Sequence, residues 1–76
     1  MKAIPGKRYR HYKGGEYTVL AVGRMETSPD EEYVVYRMEY DTNDLPKGTV
    51  WLRARAVFEE RTVVDGVEVE RFTELA

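Results

Sequence analysis

The stretch RYRHYKGGEYTVLAVGRM, residues 8–25, contains two strand-like segments joined by a pair of glycines. Glycine accepts the positive φ angles of a tight hairpin turn, so Gly14-Gly15 predicts that Arg8–Tyr12 and Tyr17–Met25 pair as antiparallel strands. Apolar residues occupy both alternating sets at the centre of the second segment. This pattern predicts a strand buried on both faces, as in a small closed barrel.

A third strand is predicted at Tyr33–Tyr40, after a break in the pattern at residues 27–30. Alternation places Val34, Tyr36 and Met38 on one face of this strand, opposite a face that carries charge. A strand with one apolar and one polar face covers a core on one side and meets water on the other. We therefore expect this strand to be half-buried.

The rest of the chain continues the succession of strands and turns. A polar loop at residues 41–48 leads into a short strand, Thr49–Arg53. Asp65-Gly66 lies between valines, and an Asp-Gly pair in that setting is a strong hairpin signal. At residues 67–70, Val67 and Val69 alternate with Glu68 and Glu70, and this alternation predicts a half-buried last strand.

These segments predict an all-β fold, namely a small SH3-like barrel of about five antiparallel strands in a single domain spanning residues 1–76. Ten valines and nine aromatic residues agree with a sheet-rich chain. Residues 54–60 have a composition compatible with one helical turn. We expect that turn to cap the barrel, with Val57 and Phe58 as its plug.

The composition also narrows the classes of function. The chain of 76 residues has no cysteine, which excludes disulfides and thiolate metal sites and fits a reducing compartment. Pro5-Gly6 interrupts the start of the chain, and the longest apolar run, near Val19–Gly23, is far shorter than the roughly twenty residues of a membrane helix. We therefore expect a cytoplasmic protein without a membrane partner.

Charge is unevenly distributed along the chain. Residues 1–15 carry five basic and no acidic side chains, whereas residues 59–76 carry six acidic and two basic ones. Two interpretations follow. Either the two ends lie side by side and offset each other, or the basic end is a docking surface for an anionic partner.

The block from Gly6 to Leu20, GKRYRHYKGGEYTVL, resembles a small bacterial family known as domain of unknown function 1653. Further segments are similar to the same family: Val34-Val35-Tyr36-Arg37, Trp51-Leu52-Arg53 with Phe58, and Asp65-Gly66 leading to Arg71-Phe72. The chain departs from the family pattern at Ala54, where a proline is usual. The resemblance implies an SH3-like barrel and supplies no activity.

Two binding hypotheses arise from the aromatic and basic residues. The first is a protein or peptide partner held in an aromatic groove near Tyr12, Tyr36 and Trp51, drawn from a wider set that includes Tyr17, Tyr33 and Tyr40. The second is RNA or single-stranded DNA, bound by basic residues interleaved with aromatic ones. Its residues are Arg8, Arg10, Tyr12, Lys13, Arg53 and Arg55. The candidate binding residues taken together are Arg8, Arg10, His11, Tyr12, Lys13, Tyr36, Trp51 and Arg53.

Structural roles compete with both hypotheses. Tyr9 and His11 alternate with the arginines of the first strand and are expected to pack inward, and large aromatic rings fill thin cores. The arginines are then expected to pair with Glu68, Glu70 or Glu32 across strands.

Catalysis and metal binding have little support. His11 is the single histidine and Ser28 the single serine, and no motif joins them. Residues 41–46 begin like a calcium loop, but Leu45 and Pro46 stand where a polar ligand and a glycine belong. We expect no catalytic residue, no metal site and no cofactor. The small core suggests reinforcement by a homodimer formed through an edge strand.

Overall fold

The computed structural model describes residues 2–76, and these residues form seven β-strands and one short helix. The strands are β1 (Arg8–His11), β2 (Glu16–Met25), β3 (Ser28–Met38), β4 (Val50–Ala54), β5 (Arg61–Val64), β6 (Val67–Glu70) and β7 (Phe72–Glu74), and the helix is α1 (Arg55–Phe58). The prediction of an all-β fold is therefore confirmed. The expected five strands become seven because the C-terminal segment divides into β5, β6 and β7.

Five strands form one antiparallel sheet in the order β4-β3-β2-β1-β7, and β5 and β6 form a separate hairpin. The sheet does not close within the described chain, since β4 and β7 each pair on one side only. The predicted closed barrel is thus wrong in that respect. The β5–β6 hairpin turns at Asp65 and Gly66, with φ of 51° and 78°, as the Asp-Gly pair predicts.

The second strand differs from the prediction because it contains a β-bulge. Its register against β3 shifts between Val19 and Ala21, so Leu20 is the additional residue. The bulge turns Val22 toward the core alongside Val19, whereas Leu20 is 39% exposed. The bulge thus directs Val19 and Val22 toward the core, whereas Leu20 and Ala21 are exposed, so the prediction of a strand buried on both faces is wrong.

The third strand carries the buried face that the sequence predicts. Val34, Tyr36 and Met38 are all buried. The strand begins at Ser28, earlier than expected, because Ser28 pairs with Met25 in a tight hairpin with β2. Pro29 is tolerated there because β4 pairs with β3 only from Tyr33 onward, so the missing N–H of proline is not needed by β4.

We call the face of the sheet that carries Tyr9, Val19, Val34, Tyr36 and Phe72 the inner face, and the opposite side the outer face. The inner face is covered by α1, whose Phe58 stacks on Phe72 with ring centroids 4.0 Å apart. Phe58 is fully buried, but Val57 is 38% exposed. The expected plug therefore consists of Phe58 alone, since adjacent helical residues point in different directions.

The first and last strands are neighbours, with Arg10 opposite Thr73. The N-terminal segment is fixed beside them, because the Tyr9 hydroxyl donates to the Lys2 carbonyl (3.0 Å) and accepts from the Ile4 N–H (2.8 Å). The Ala3 N–H donates to Glu59 Oε2 at 2.8 Å. The bonds to Lys2 and Ile4 satisfy the hydroxyl of Tyr9, which is fully buried.

Candidate binding site

A cavity of about 630 Å³ lies beside the turn that joins β1 to β2. Its aromatic lining is Tyr17, Tyr36, Tyr40 and Phe72. The Tyr17 ring meets the other three edge-on, with centroids 5.2 to 5.9 Å away. Edge-to-face packing of this kind fixes each ring through its neighbours, so the cavity has a rigid aromatic wall.

The wall presents hydroxyl groups that remain protonated. The hydroxyl oxygens of Tyr17 and Tyr40 are 2.6 Å apart and share a hydrogen bond. Burial raises the pKa of Tyr17, and the hydrogen bond with Tyr40 raises it further. Burial also raises the pKa of Tyr36, against the opposing effect of the nearby Arg53 guanidinium. Tyr17 and Tyr36 are therefore neutral hydrogen-bonding groups at physiological pH.

The position of Tyr40 depends on Gly15. A Cβ atom at residue 15 would lie 2.6 Å from the Tyr40 hydroxyl oxygen, which is closer than atoms approach without a shift. Gly14 beside it has a φ of 108° and makes the turn. The glycine pair thus has two functions, of which the sequence pattern predicts only the turn.

The carboxylates at the cavity are already paired with arginines. Glu16 lies 3.2 Å from Arg8 Nε and 3.0 Å from Arg10 Nη2. The hydrogen bond from Arg10, together with the charges of Arg10 and Arg8, lowers the pKa of Glu16. Glu39 lies 3.0 Å from Arg37 Nη2 and accepts a hydrogen bond from Thr18. Neither carboxylate contributes an uncompensated negative charge.

Two cations at the cavity have a different environment. Within residues 2–76, neither Arg53 nor Lys13 forms a salt bridge. The Arg53 guanidinium lies 5.5 Å from the centroid of the Phe72 ring, and Lys13 Nζ lies 5.8 Å from that of Tyr12. Aromatic faces support a cation without neutralising it. The cavity therefore carries a local positive charge despite the acidic composition of the chain.

His11 is held in a defined state at the same place. Its Nδ1 accepts the Lys13 backbone N–H at 3.1 Å, and its ring packs edge-on against Phe72 at 4.9 Å. Burial lowers the pKa of His11, and the charges of Arg53, Arg71 and Lys13 lower it further. A neutral imidazole that accepts at Nδ1 carries its proton on Nε2. His11 is thus a neutral imidazole whose N–H donor is at Nε2.

The structure brings together five of the eight candidate residues at this cavity, namely Arg8, His11, Lys13, Tyr36 and Arg53. Arg10 and Tyr12 line a neighbouring cavity of about 530 Å³, together with the β5–β6 hairpin. Trp51 lies opposite Tyr36 in β4 but does not line the 630 Å³ cavity. Tyr12, Tyr36 and Trp51 are therefore distributed over more than one site.

The arginines of β1 find a different partner from those expected. Their shared carboxylate is Glu16, in the adjacent strand β2, because Glu16 lies directly opposite Arg10. Glu32 instead pairs with Arg55 (3.3 Å), and Glu68 pairs with Arg61. Arg55 also pairs with Glu59 at 3.0 Å. Strand register, rather than the net charge of the two chain ends, determines the partner of the β1 arginines.

Phe72 and Gly15 line the cavity, although the sequence pattern does not predict either residue as part of a binding site. Phe72 lies sixty-one positions from His11 in the chain and becomes its neighbour through the β1–β7 pairing. No local pattern carries that information, although Arg71-Phe72 is among the segments that resemble the family.

Residues 2–76 contain neither a cluster of metal-ligand side chains nor a membrane-spanning helix. No group of three or more histidine, cysteine, aspartate or glutamate side chains in this range is arranged to hold a metal ion. Across the same residues, no helix has the length and apolar character needed to cross a membrane.

Comparison with known proteins gives one match. No curated protein and no solved structure matches the chain. A family model described as "Protein of unknown function (DUF1653)" matches residues 7–74. This range includes β1 through β7 and every residue that lines the 630 Å³ cavity. The chain therefore belongs to the DUF1653 family.

Proposed function

We propose that the chain is a non-enzymatic binding module whose 630 Å³ cavity holds a peptide segment with a carboxylate group. The observation that carries this proposal is the pairing pattern of the charges. Arg53 and Lys13 form no salt bridge within residues 2–76, whereas the cavity carboxylates Glu16 and Glu39 are each held by arginine. An anionic group is the ligand that this imbalance favours.

The cavity offers complementary groups for such a ligand. A guanidinium such as that of Arg53 can donate two parallel hydrogen bonds to a carboxylate. His11 adds a neutral N–H donor, and Lys13 adds a second positive charge. The half-buried rings of Tyr17 and Tyr40 provide apolar surface for the residues that flank the carboxylate. A peptide combines both kinds of group within a few residues.

Binding of RNA or single-stranded DNA is the alternative, and the charge pairing weakens it. Of the residues in that hypothesis, Arg8 and Arg10 are paired with Glu16, and Arg55 is paired with Glu32 and Glu59. A strand of phosphates would have to compete with these carboxylates. Nucleic-acid domains usually carry a surplus of basic residues, whereas this chain has a pI near 5.4.

A non-enzymatic role is supported by the placement of the nucleophile and base. Ser28 lies in the β2–β3 hairpin, at the end of β2 that is opposite to His11. His11 Nδ1 is already occupied by the Lys13 N–H. We also propose that the protein acts in the bacterial cytoplasm, which the absence of cysteine fits.

The test uses three probes with the full chain: glutamate-containing hexapeptides, the same hexapeptides with glutamine in place of glutamate, and a mixed-sequence single-stranded DNA. Binding is followed by amide NMR shifts at His11, Gly15 and Phe72. We expect shifts with the glutamate peptides only, and affinity at least about tenfold lower in Arg53→Gln, as for a lost charge-assisted contact.

The matched control is Arg61→Gln, which removes an arginine that is paired with Glu68 in the β5–β6 hairpin and does not line the cavity. It should leave peptide affinity unchanged. The proposal is overturned if Arg53→Gln binds as the wild type does, or if glutamine peptides bind equally well. Binding of the DNA alone at low salt would establish the alternative, because phosphate contacts are strongest there.

A further inference from the structure

Strand β4 forms an open edge of the sheet with unusual exposure. Among residues 2–76 it pairs with β3 alone. Leu52 is 61% exposed, Val50 48% and Trp51 39%. An unpaired edge presents free backbone N–H and C=O groups, and apolar side chains along it favour pairing with another strand.

The opposite edge, β7, is protected in the usual way. It has only three residues, and its Thr73 and Glu74 are exposed polar side chains. Short polar edges discourage pairing between molecules. By contrast, β4 has five residues, no lysine or proline, and a regular register with β3 from Val50 to Ala54. The protection found at β7 is absent from β4.

Register identifies which backbone groups of β4 are available. The Met38 N–H donates to the Thr49 carbonyl at 2.8 Å. In a regular antiparallel pair, hydrogen-bonded residues alternate with non-bonded ones. Trp51 and Arg53 therefore bond to β3, whereas Val50 and Leu52 direct their N–H and C=O groups outward. Ala54 directs its N–H outward, but its carbonyl accepts the first hydrogen bond of α1, because Ala54 is the N-cap of that helix.

We propose that β4 pairs antiparallel with β4 of a second copy of this chain, about a two-fold axis at Leu52. In this register Leu52 lies opposite Leu52, Val50 opposite Ala54, and Trp51 opposite Arg53 of the other copy. Leu52 then exchanges two hydrogen bonds with Leu52 of the other copy, and the Ala54 N–H donates to the Val50 carbonyl of the other copy. A two-fold interface must be self-complementary, and the sequence Val50-Trp51-Leu52-Arg53-Ala54 meets that requirement.

The Trp51–Arg53 pairs give this register its specificity. They occupy non-hydrogen-bonded positions, where side chains approach most closely. Tryptophan is the best aromatic partner for a cation, and symmetry forms the contact twice. A shift of the register toward the C-terminus would place Arg53 opposite Arg53, so repulsion disfavours it. The ring would contact the face of the guanidinium, whose N–H groups at the edge remain available to a carboxylate.

The test measures self-association of the full chain by sedimentation equilibrium from micromolar to millimolar concentration. Wild-type protein should shift from 8.9 kDa toward twice that mass. Leu52→Lys places like charges on the axis and should weaken association at least about tenfold. Leu52→Pro removes an outward N–H that β3 does not use and should act in the same direction. Trp51, the only tryptophan, should show a blue-shifted emission as the dimer forms.

Val63→Lys is the matched control, because Val63 is 66% exposed and lies in the β5–β6 hairpin. It should leave association unchanged. A wild-type protein that stays monomeric at millimolar concentration overturns the proposal. So does a dimer that resists both Leu52 variants, or one that Val63→Lys disrupts to the same extent.

Discussion

The two faces of the five-stranded sheet differ in whether their arginines are paired with carboxylates. On the outer face, Arg8, Arg10 and Glu16 form a cluster in which each arginine lies within 3.2 Å of the carboxylate. On the inner face, Arg53 rests on the Phe72 ring and forms no salt bridge in the part of the chain described. Charge that is locally neutralised contributes mainly to solubility, whereas charge held against an aromatic wall remains available to a ligand.

The largest expected difference between the faces concerns stability. Phe72→Ala removes a fully buried ring that stacks on Phe58, and we expect it to lower the free energy of unfolding by about 3–5 kcal/mol. Leu20→Ala, at the exposed bulge, should cost below about 1 kcal/mol. Urea denaturation of both variants measures the two values. Equal losses would contradict the division into a packed and a solvated face.

A smaller difference in stability is expected between alanine substitutions at two glycines. Gly15→Ala places a methyl group 2.6 Å from the Tyr40 hydroxyl and should cost about 1–3 kcal/mol, because the ring must move. Gly23→Ala meets no atom within 4 Å and has no positive φ, so its effect should lie within about 1 kcal/mol of zero. Thermal denaturation compares them. The amide shifts of Tyr17 and Tyr40 should change in the first variant alone.

The smallest effect is a pH dependence from His11. Its pKa is lowered in the folded state from the ordinary value of 6.5, chiefly by burial. The unfolded chain therefore takes up the proton first as the pH falls. The stability contribution of neutral His11 is complete above pH 6.5 and decreases as the pH falls toward the folded pKa.

Melting temperatures measured between about pH 7.5 and 5.5 should fall for the wild type and fall less for His11→Gln. Glu16 does not interfere in this window, because its pKa is lowered from 4.5 and its contribution is lost only at more acidic pH. Parallel slopes for the two proteins would contradict the buried, neutral state of His11.

The sequence predicts the local parts of this fold well. Alternation identifies the buried face of β3, and Asp65-Gly66 identifies the β5–β6 turn, because each signal lies within a few adjacent residues. The bulge at Leu20 is not predicted. In the sequence, an exposed leucine cannot be told from a buried one, so Leu20 indicated that the second face of the strand is also buried. Closure of the barrel fails for a related reason: alternation specifies faces but not which strands remain edges.

The candidate site is predicted less completely than the fold. His11, Arg53 and Phe72 come from β1, β4 and β7, and the sheet order alone brings them together. Their residue types suggest binding, but the sequence does not show which arginines are already paired. That distinction depends on register, such as Glu16 opposite Arg10. Register therefore shows that Arg8 and Arg10 have a carboxylate partner, whereas Arg53 has none within residues 2–76.

Pairing between β1 and β7 has a consequence for how the chain acquires its structure. Arg10 meets Thr73, so the contact closes a loop of more than sixty residues. Contacts this distant form late and slowly, because loop closure costs entropy before the contact is gained. During synthesis, β1 and its neighbour β2 therefore leave the ribosome long before β7 exists. Until residues 72–74 are added, one edge of β1 is unpaired, and the exposed Arg8 and Arg10 place charge on that strand, which discourages pairing with other molecules.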